Sequence, residues 1–172
     1  MEGAIGIFGP SESRMERLGA WFAAEYEPLL RFAYFLTADR ETAEDLVQDA
    51  FLRVNRSRGR VEDPAFPAYA RKTIVNLARS LFRRTATAQR FEMRQRMEAG
   101  GDPSEAAASY DLRRALLALP VRQRACLALR FYEDKKEQEI ADVLGISNAA
   151  VRKQLERAIK RLRASLKEEQ VP

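Results

Sequence analysis

The sequence predicts an all-α protein of two small helical domains, a helical bundle followed by a helix-turn-helix unit, joined by a flexible linker. Three features carry that expectation. Apolar residues recur at helical spacing through most of the chain, no stretch of useful length alternates like a strand, and Gly, Pro and Ser gather in one central segment. At 172 residues the chain has room for one ordinary domain or two small ones.

The elements follow in order. Residues 1–13 read as a loose, disordered lead, with Gly, Pro and Ser and no periodicity. Over residues 15–37, Leu18, Phe22, Leu29, Leu30, Ala33 and Leu36 keep helical spacing. Asp39 can cap the next helix by accepting from free backbone N–H groups, and Thr42 is a second candidate cap. In that helix Ala43, Leu46, Val47, Ala50, Phe51 and Val54 form one apolar stripe. Gly59, Pro64 and Pro67 make "RSRGRVEDPAFP" a loop. A third helix over 68–84 buries Ala70, Ile74, Leu77, Ala78 and Leu81. Helical character weakens after Thr85, and "EAGGDPSEAAAS" is the linker candidate, which places a first domain at 14–86, a linker at 87–108 and a second domain at 109–168. The second unit begins near Tyr110, with "LRRALLAL" ending at Pro120, "VRQRACLALRFY" forming the next helix, and helices over 136–144 and 147–167 completing a cluster of four.

Composition narrows the function. No run of about 18 apolar residues exists, so the reading includes no membrane span, and the start has neither the basic lead nor the apolar core of a signal peptide. Cys126 is the single cysteine; it allows no internal disulfide, fits a reducing cytoplasm, and sits within an apolar pattern that points to packing. Histidine, the commonest general base and metal ligand, is absent, and no glycine loop for phosphates is present, so the expectation is a non-enzyme with no catalytic residue, metal or cofactor. Charge is unevenly placed: residues 1–50 carry net −6, residues 71–96 net +7 and residues 151–167 net +6. Two cationic blocks on amphipathic helices suggest two phosphate-facing surfaces, whereas one block alone reads equally well as a solvated face.

The last block lies in "EQEIADVLGISNAAVRKQLERAIKRL". Gly145 suits a helix stop, Ile146 can plug the gap, and Ser147 caps the helix that follows. Val151, Leu155, Ala158 and Leu162 form a stripe that packs onto Ile140, Ala141 and Leu144. This pattern is a helix-turn-helix whose second helix enters a DNA major groove; a plain helical hairpin with a wet basic face is the competing account. Ser147, Asn148, Arg152 and Lys153 lie at its leading end, where base edges are reached, while Arg157, Lys160, Arg161 and Arg163 lie farther along and suit phosphates. On the third helix Arg71, Lys72, Asn76, Arg79, Ser80 and Arg83 fall on or near one exposed side. On the second, Asp45, Gln48, Asp49 and Leu52 face away from the apolar stripe, a surface suited to a basic partner.

"LTADRETAEDLVQDAFLRV" (36–54) and "FPAYARKTIVNLARSLFRR" (66–84) closely resemble conserved region 2 of bacterial sigma factors, and "LPVRQRACLALRFYEDKKEQEIADVLGISNAAVRKQLERAIKRLR" resembles region 4. Pairing, order and length are similar to the extracytoplasmic-function (ECF, group 4) sigma factors, and "AEDLVQDA" and "VNLARS" are most similar to actinobacterial members. The resemblance implies a sigma factor that binds core RNA polymerase at the β′ clamp helices and the β flap, with Asp45, Gln48, Asp49 and Leu52 on the β′ clamp helices. It implies a −35 element read by Ser147, Asn148, Arg152, Lys153, Arg157, Lys160 and Arg161. It further implies a −10 element opened and read by Phe66, Arg71, Lys72, Asn76, Arg79, Ser80, Arg83 and Arg84, with the loop over 57–67 cradling a flipped base. Phe66 and Tyr69 offer either stacking surface or core. An anti-sigma factor is an implied partner. Two departures stand out: Asn55 where a tryptophan is common, and Lys135–Lys136 where Leu-Ser is usual. An autonomous dimeric helix-turn-helix regulator and a sigma-like decoy are the competing functions.

Overall fold

The computed structural model describes residues 14–57, 63–84 and 103–168. The expected lead lies outside these residues, as does the expected linker except for its last six positions, which are helical.

Helices α1 (Arg14–Thr37), α2 (Arg40–Arg56) and α3 (Phe66–Arg84) form the first bundle, with a 3-10 turn at Asp63–Ala65 leading into α3. Asp39, rather than Thr42, caps α2: its carboxylate accepts the Thr42 N–H at 2.9 Å. Arg14 closes the other end of α2 by donating to the carbonyls of Asn55 (3.2 Å) and Val54 (3.3 Å) and to Ser57 Oγ (3.1 Å), a cation at the negative end of the helix. Ring contacts lock the three helices: Phe22 lies 4.2 Å from Phe51 and Trp21 lies 5.4 Å from Phe66 between centroids.

The second domain contains α4 (Pro103–Ala118), α5 (Val121–Leu127), α6 (Glu137–Leu144) and α7 (Asn148–Glu168). Two expectations are corrected. α4 starts at Pro103, well before Tyr110. "VRQRACLALRFY" is not one regular α-helix, because Ala128–Tyr132 widens into a π turn. The Glu133 N–H reaches back five residues to the Ala128 carbonyl at 3.0 Å, and Lys135 N–H bonds the Leu129 carbonyl at 2.8 Å. The wide turn swings Phe131 and Tyr132 outward and leaves both more than half exposed. At the start of α6, the Glu139 carboxylate accepts the Lys136 backbone N–H at 2.8 Å and fixes the first turn.

The two domains do not stand apart. α3 packs on α5 and α6, α1 meets α5, and buried apolar side chains of both halves form one continuous cluster. Cys126 lies in that cluster, fully enclosed. Burial pushes its thiol from an ordinary 9.0 up to about 11, with Arg122 opposing the shift. A thiol whose pKa is raised by folding stabilises the protein below the unfolded value and loses that contribution as pH climbs through the folded one. Wild-type protein is therefore expected to lose stability between pH 9 and 11 more steeply than Cys126→Ala, by about 2 kcal/mol across the window. Urea titrations at both pH values check this, and parallel pH profiles for the two proteins would contradict it.

Candidate nucleic-acid interface

The helix-turn-helix forms as the sequence indicates. α6 ends at Gly145, which takes left-handed backbone at φ 64, and the Ile146 N–H bonds the Ala141 carbonyl at 3.1 Å. Ser147 Oγ accepts the Ala150 N–H at 3.2 Å and caps α7. Ile140, Ala141 and Leu144 are buried with Val151, Leu155 and Ala158, which fixes how α7 lies across α6. Ser147, Arg152, Lys153, Arg157, Lys160 and Arg161 remain exposed along α7. Among the described residues Arg152 makes only a long ion pair with Glu137, at 3.6 Å.

Asn148 departs from the expectation. It is half-buried, its Nδ2 donates to Gln138 Oε1 at 2.8 Å, and its Oδ1 is enclosed with no hydrogen-bond partner among the described residues. Through that bond the residue braces the turn against α6.

On α3, Lys72, Asn76, Arg79, Arg83 and Arg84 are exposed and Ser80 is half-buried. Two residues assigned to this surface are corrected. Phe66 is 1% exposed, packs against Trp21 and has the Arg14 guanidinium 5.7 Å from its ring centroid, so it is core and not a stacking platform. Arg71 is buried too. Its Nε donates to both carboxylate oxygens of Glu133, at 2.9 and 2.8 Å, and its remaining nitrogens reach the Pro67 carbonyl and Glu25. Tyr69, left open between stacking and core, is half-buried.

On α2, Asp45, Gln48 and Asp49 are exposed, and Leu52 beside them is 43% exposed. Carboxylates and an amide around an open leucine make a surface that attracts a cationic partner and gives it apolar area to bury.

Sequence reasoning missed the residues that join the halves. Arg124, 2% exposed, donates through Nη1 to the Leu36 carbonyl at the end of α1, and its guanidinium lies 4.5 Å from the Phe82 ring centroid. Arg113 donates to Tyr34 Oη (2.7 Å) and the Ala38 carbonyl (3.2 Å). Lys72 approaches the turn so closely that a Cβ on Gly145 would stand 3.0 Å from its Nζ. One signal was available: Arg124 interrupts an otherwise apolar face in "VRQRACLAL". Its partners, however, lie 88 positions away in sequence at Leu36 and 42 positions away at Phe82.

The Arg71–Glu133 pair yields a direct expectation. Glu133→Gln alone should cost about 1.5–3 kcal/mol in urea unfolding, because it leaves a buried cation short of its counter-charge. The double variant with Arg71→Gln should recover part of that loss, and strictly additive effects would show that the pair is uncoupled.

Comparison with known proteins places these features. Residues 21–87 match the family described as Sigma-70 region 2, and residues 109–162 match Sigma-70, region 4. A probable RNA polymerase sigma factor, RfaY of Xanthomonas campestris pv. campestris, is 36% identical over 137 residues, which covers 73% of this chain but only 34% of that protein. The ECF RNA polymerase sigma factor SigL of Mycobacterium tuberculosis is 30% identical over 171 residues, covering 94% of this chain and 96% of SigL. Among solved structures, the sigma factor RpoE in complex with the anti-sigma factor NepR, from Bartonella quintana, matches with TM-score 0.63 at 21% identity, over 87% of this chain and 96% of that one. Among the described residues no helix is long and apolar enough to cross a membrane, and no group of side chains could hold a metal ion. With both regions matched in order and a relative covered almost end to end, the chain belongs to the sigma-70 family of RNA polymerase sigma factors, in its ECF group.

Proposed function

We propose that the chain binds core RNA polymerase and directs it to promoters, reading the −35 element with α7 and recognising and melting the −10 element with α3 and the loop before it. The polymerase makes the bonds, and this protein supplies specificity without chemistry of its own. The observation that carries the reading is the division of the surface. Asp45, Gln48, Asp49 and Leu52 are open on α2, while the exposed cations of α3 and α7 offer two separate phosphate-facing helices. The acidic face serves the β′ clamp helices, the second domain the β flap, and the cationic helices serve DNA.

In this structure Arg71 is engaged with Glu133 and Lys72 faces the Gly145 turn. Reading −10 with α3 therefore needs the halves to part. Binding to core enzyme and to two DNA elements repays that separation, because each engaged site raises the effective concentration at the next. Control by an anti-sigma factor belongs to the same proposal, supported by the neighbour's complex with NepR. So do the actinobacterial character of "AEDLVQDA" and "VNLARS" and a cytoplasmic location.

Run-off transcription with core polymerase on a promoter library tests the proposal: the chain should select a −35/−10 pair, and DNA binding to a palindrome without polymerase would favour the autonomous regulator instead. Asp45→Lys with Asp49→Lys should abolish core binding in a pull-down while leaving Tm within about 2 °C, since exposed substitutions change stability little. Neutralising Arg157 and Lys160 should weaken promoter binding for every sequence and flatten the slope of log K against log salt by about 0.9 for each phosphate that is no longer neutralised. An unchanged slope would remove those two residues from the interface.

A further inference from the structure

We propose that the seam between the domains holds a binding site for a compact polyphosphate. Arg79 and Arg83 of α3, Arg122 of α5, and Arg157 and Arg161 of α7 converge on one cleft of about 570 Å³, and no carboxylate lines it.

The cations that hold the seam together, Arg71, Arg113 and Arg124, each have partners across it. The five in the cleft are different. Among the described residues none lies within ion-pair distance of a carboxylate, and Arg161 makes only a 3.4 Å bond to Gln123 Oε1. Partial burial, then the nearby charges of Arg122 and Arg83, lower the proton affinity of Arg79, which marks a positive field left uncompensated. Guanidinium groups stay protonated at any working pH, so the field cannot be relieved by losing a proton. A multivalent anion relieves it.

The geometry selects among anions. The volume falls in the range of small-molecule sites, about 300–1,000 Å³. Arginine forks match phosphate oxygens two at a time, so several linked phosphates use the site better than scattered carboxylates do. Arg124 already occupies a face of Phe82, so recognition falls on the phosphates rather than on a stacked base. The walls come from both domains, and a ligand touching both is held fully only while the halves are closed. Four of the five arginines are also proposed promoter contacts, so the ligand and promoter DNA compete. That competition rests on the proposed function; the binding itself does not.

The test uses the full chain without polymerase or DNA. Sodium tripolyphosphate should raise Tm and bind in calorimetry with one site per chain, well beyond sodium sulfate at equal ionic strength. Arg122→Gln, which lies outside the proposed promoter contacts, should weaken binding at least about tenfold while leaving the unliganded Tm in place. Arg161→Gln should weaken it similarly. ATP and tripolyphosphate as parallel titrants show which part of the ligand is read: comparable affinities support a site for linked phosphates, and much tighter ATP binding would contradict it by giving the cleft to the nucleoside. Equal stabilisation by sulfate, wild-type affinity in both arginine variants, or tighter binding of a polyglutamate peptide would overturn the proposal, the last by giving the cleft to an acidic protein segment.

Discussion

The Arg124 guanidinium sits 2% exposed where α1, α3 and α5 meet, donating to the Leu36 carbonyl and lying over the Phe82 ring. A buried cation is costly unless its protons find acceptors, and here an acceptor belongs to the other domain. Pulling the halves apart therefore strips Arg124 of that carbonyl and Arg71 of Glu133 together, while exposing apolar surface that both cores share. This coupling sets the arrangement of everything else. It lays α3 against α5 and α6, and it opens a cleft where cations of both halves meet.

Like charges brought together oppose closure, and the seam balances that repulsion with specific pairs. Glu133 is aimed at Arg71 from just beyond the π turn, while Arg113 is held by the end of α1 through Tyr34 and Ala38. The five arginines that line the cleft have no carboxylate partner among the described residues. The acidic face of α2 takes no part in the seam and stays open. The face proposed for polymerase thus stays open while Arg71 and Lys72 of the proposed DNA-binding face are engaged internally.

Much of this was legible in the sequence. Helical periodicity located α1, α2, α3, α6 and α7, and single residues fixed their ends: Asp39, Gly145 and Ser147 behave as short-range chemistry requires. The exposed character of Asp45, Gln48 and Asp49 followed from the phase of the apolar stripe beside them. The seam was not legible, because helical phase shows which side is polar but not what that side meets. Arg71 looked like a solvent cation until Glu133, 62 positions away, closed on it. Phe66 was ambiguous for the same reason, and Trp21 decided it. Asn148 lies in the first turn of α7 as expected, yet Gln138 claims its amide. The π turn was not legible either: Phe131 and Tyr132 continue the apolar pattern of "VRQRACLALRFY", yet the wide turn carries both outward.

The claim beneath all of this is that the free chain is closed across the seam and opens when it engages polymerase and promoter. Ala20 on α1 and Ala164 on α7 are both exposed, and Cys126 is buried, so Ala20→Cys and Ala164→Cys in a Cys126→Ala background accept spin labels at two defined points. Double electron–electron resonance should give one narrow short distance for the free protein and a longer one once core enzyme and promoter DNA are added. A broad distribution in the free protein that does not change on assembly would contradict the account.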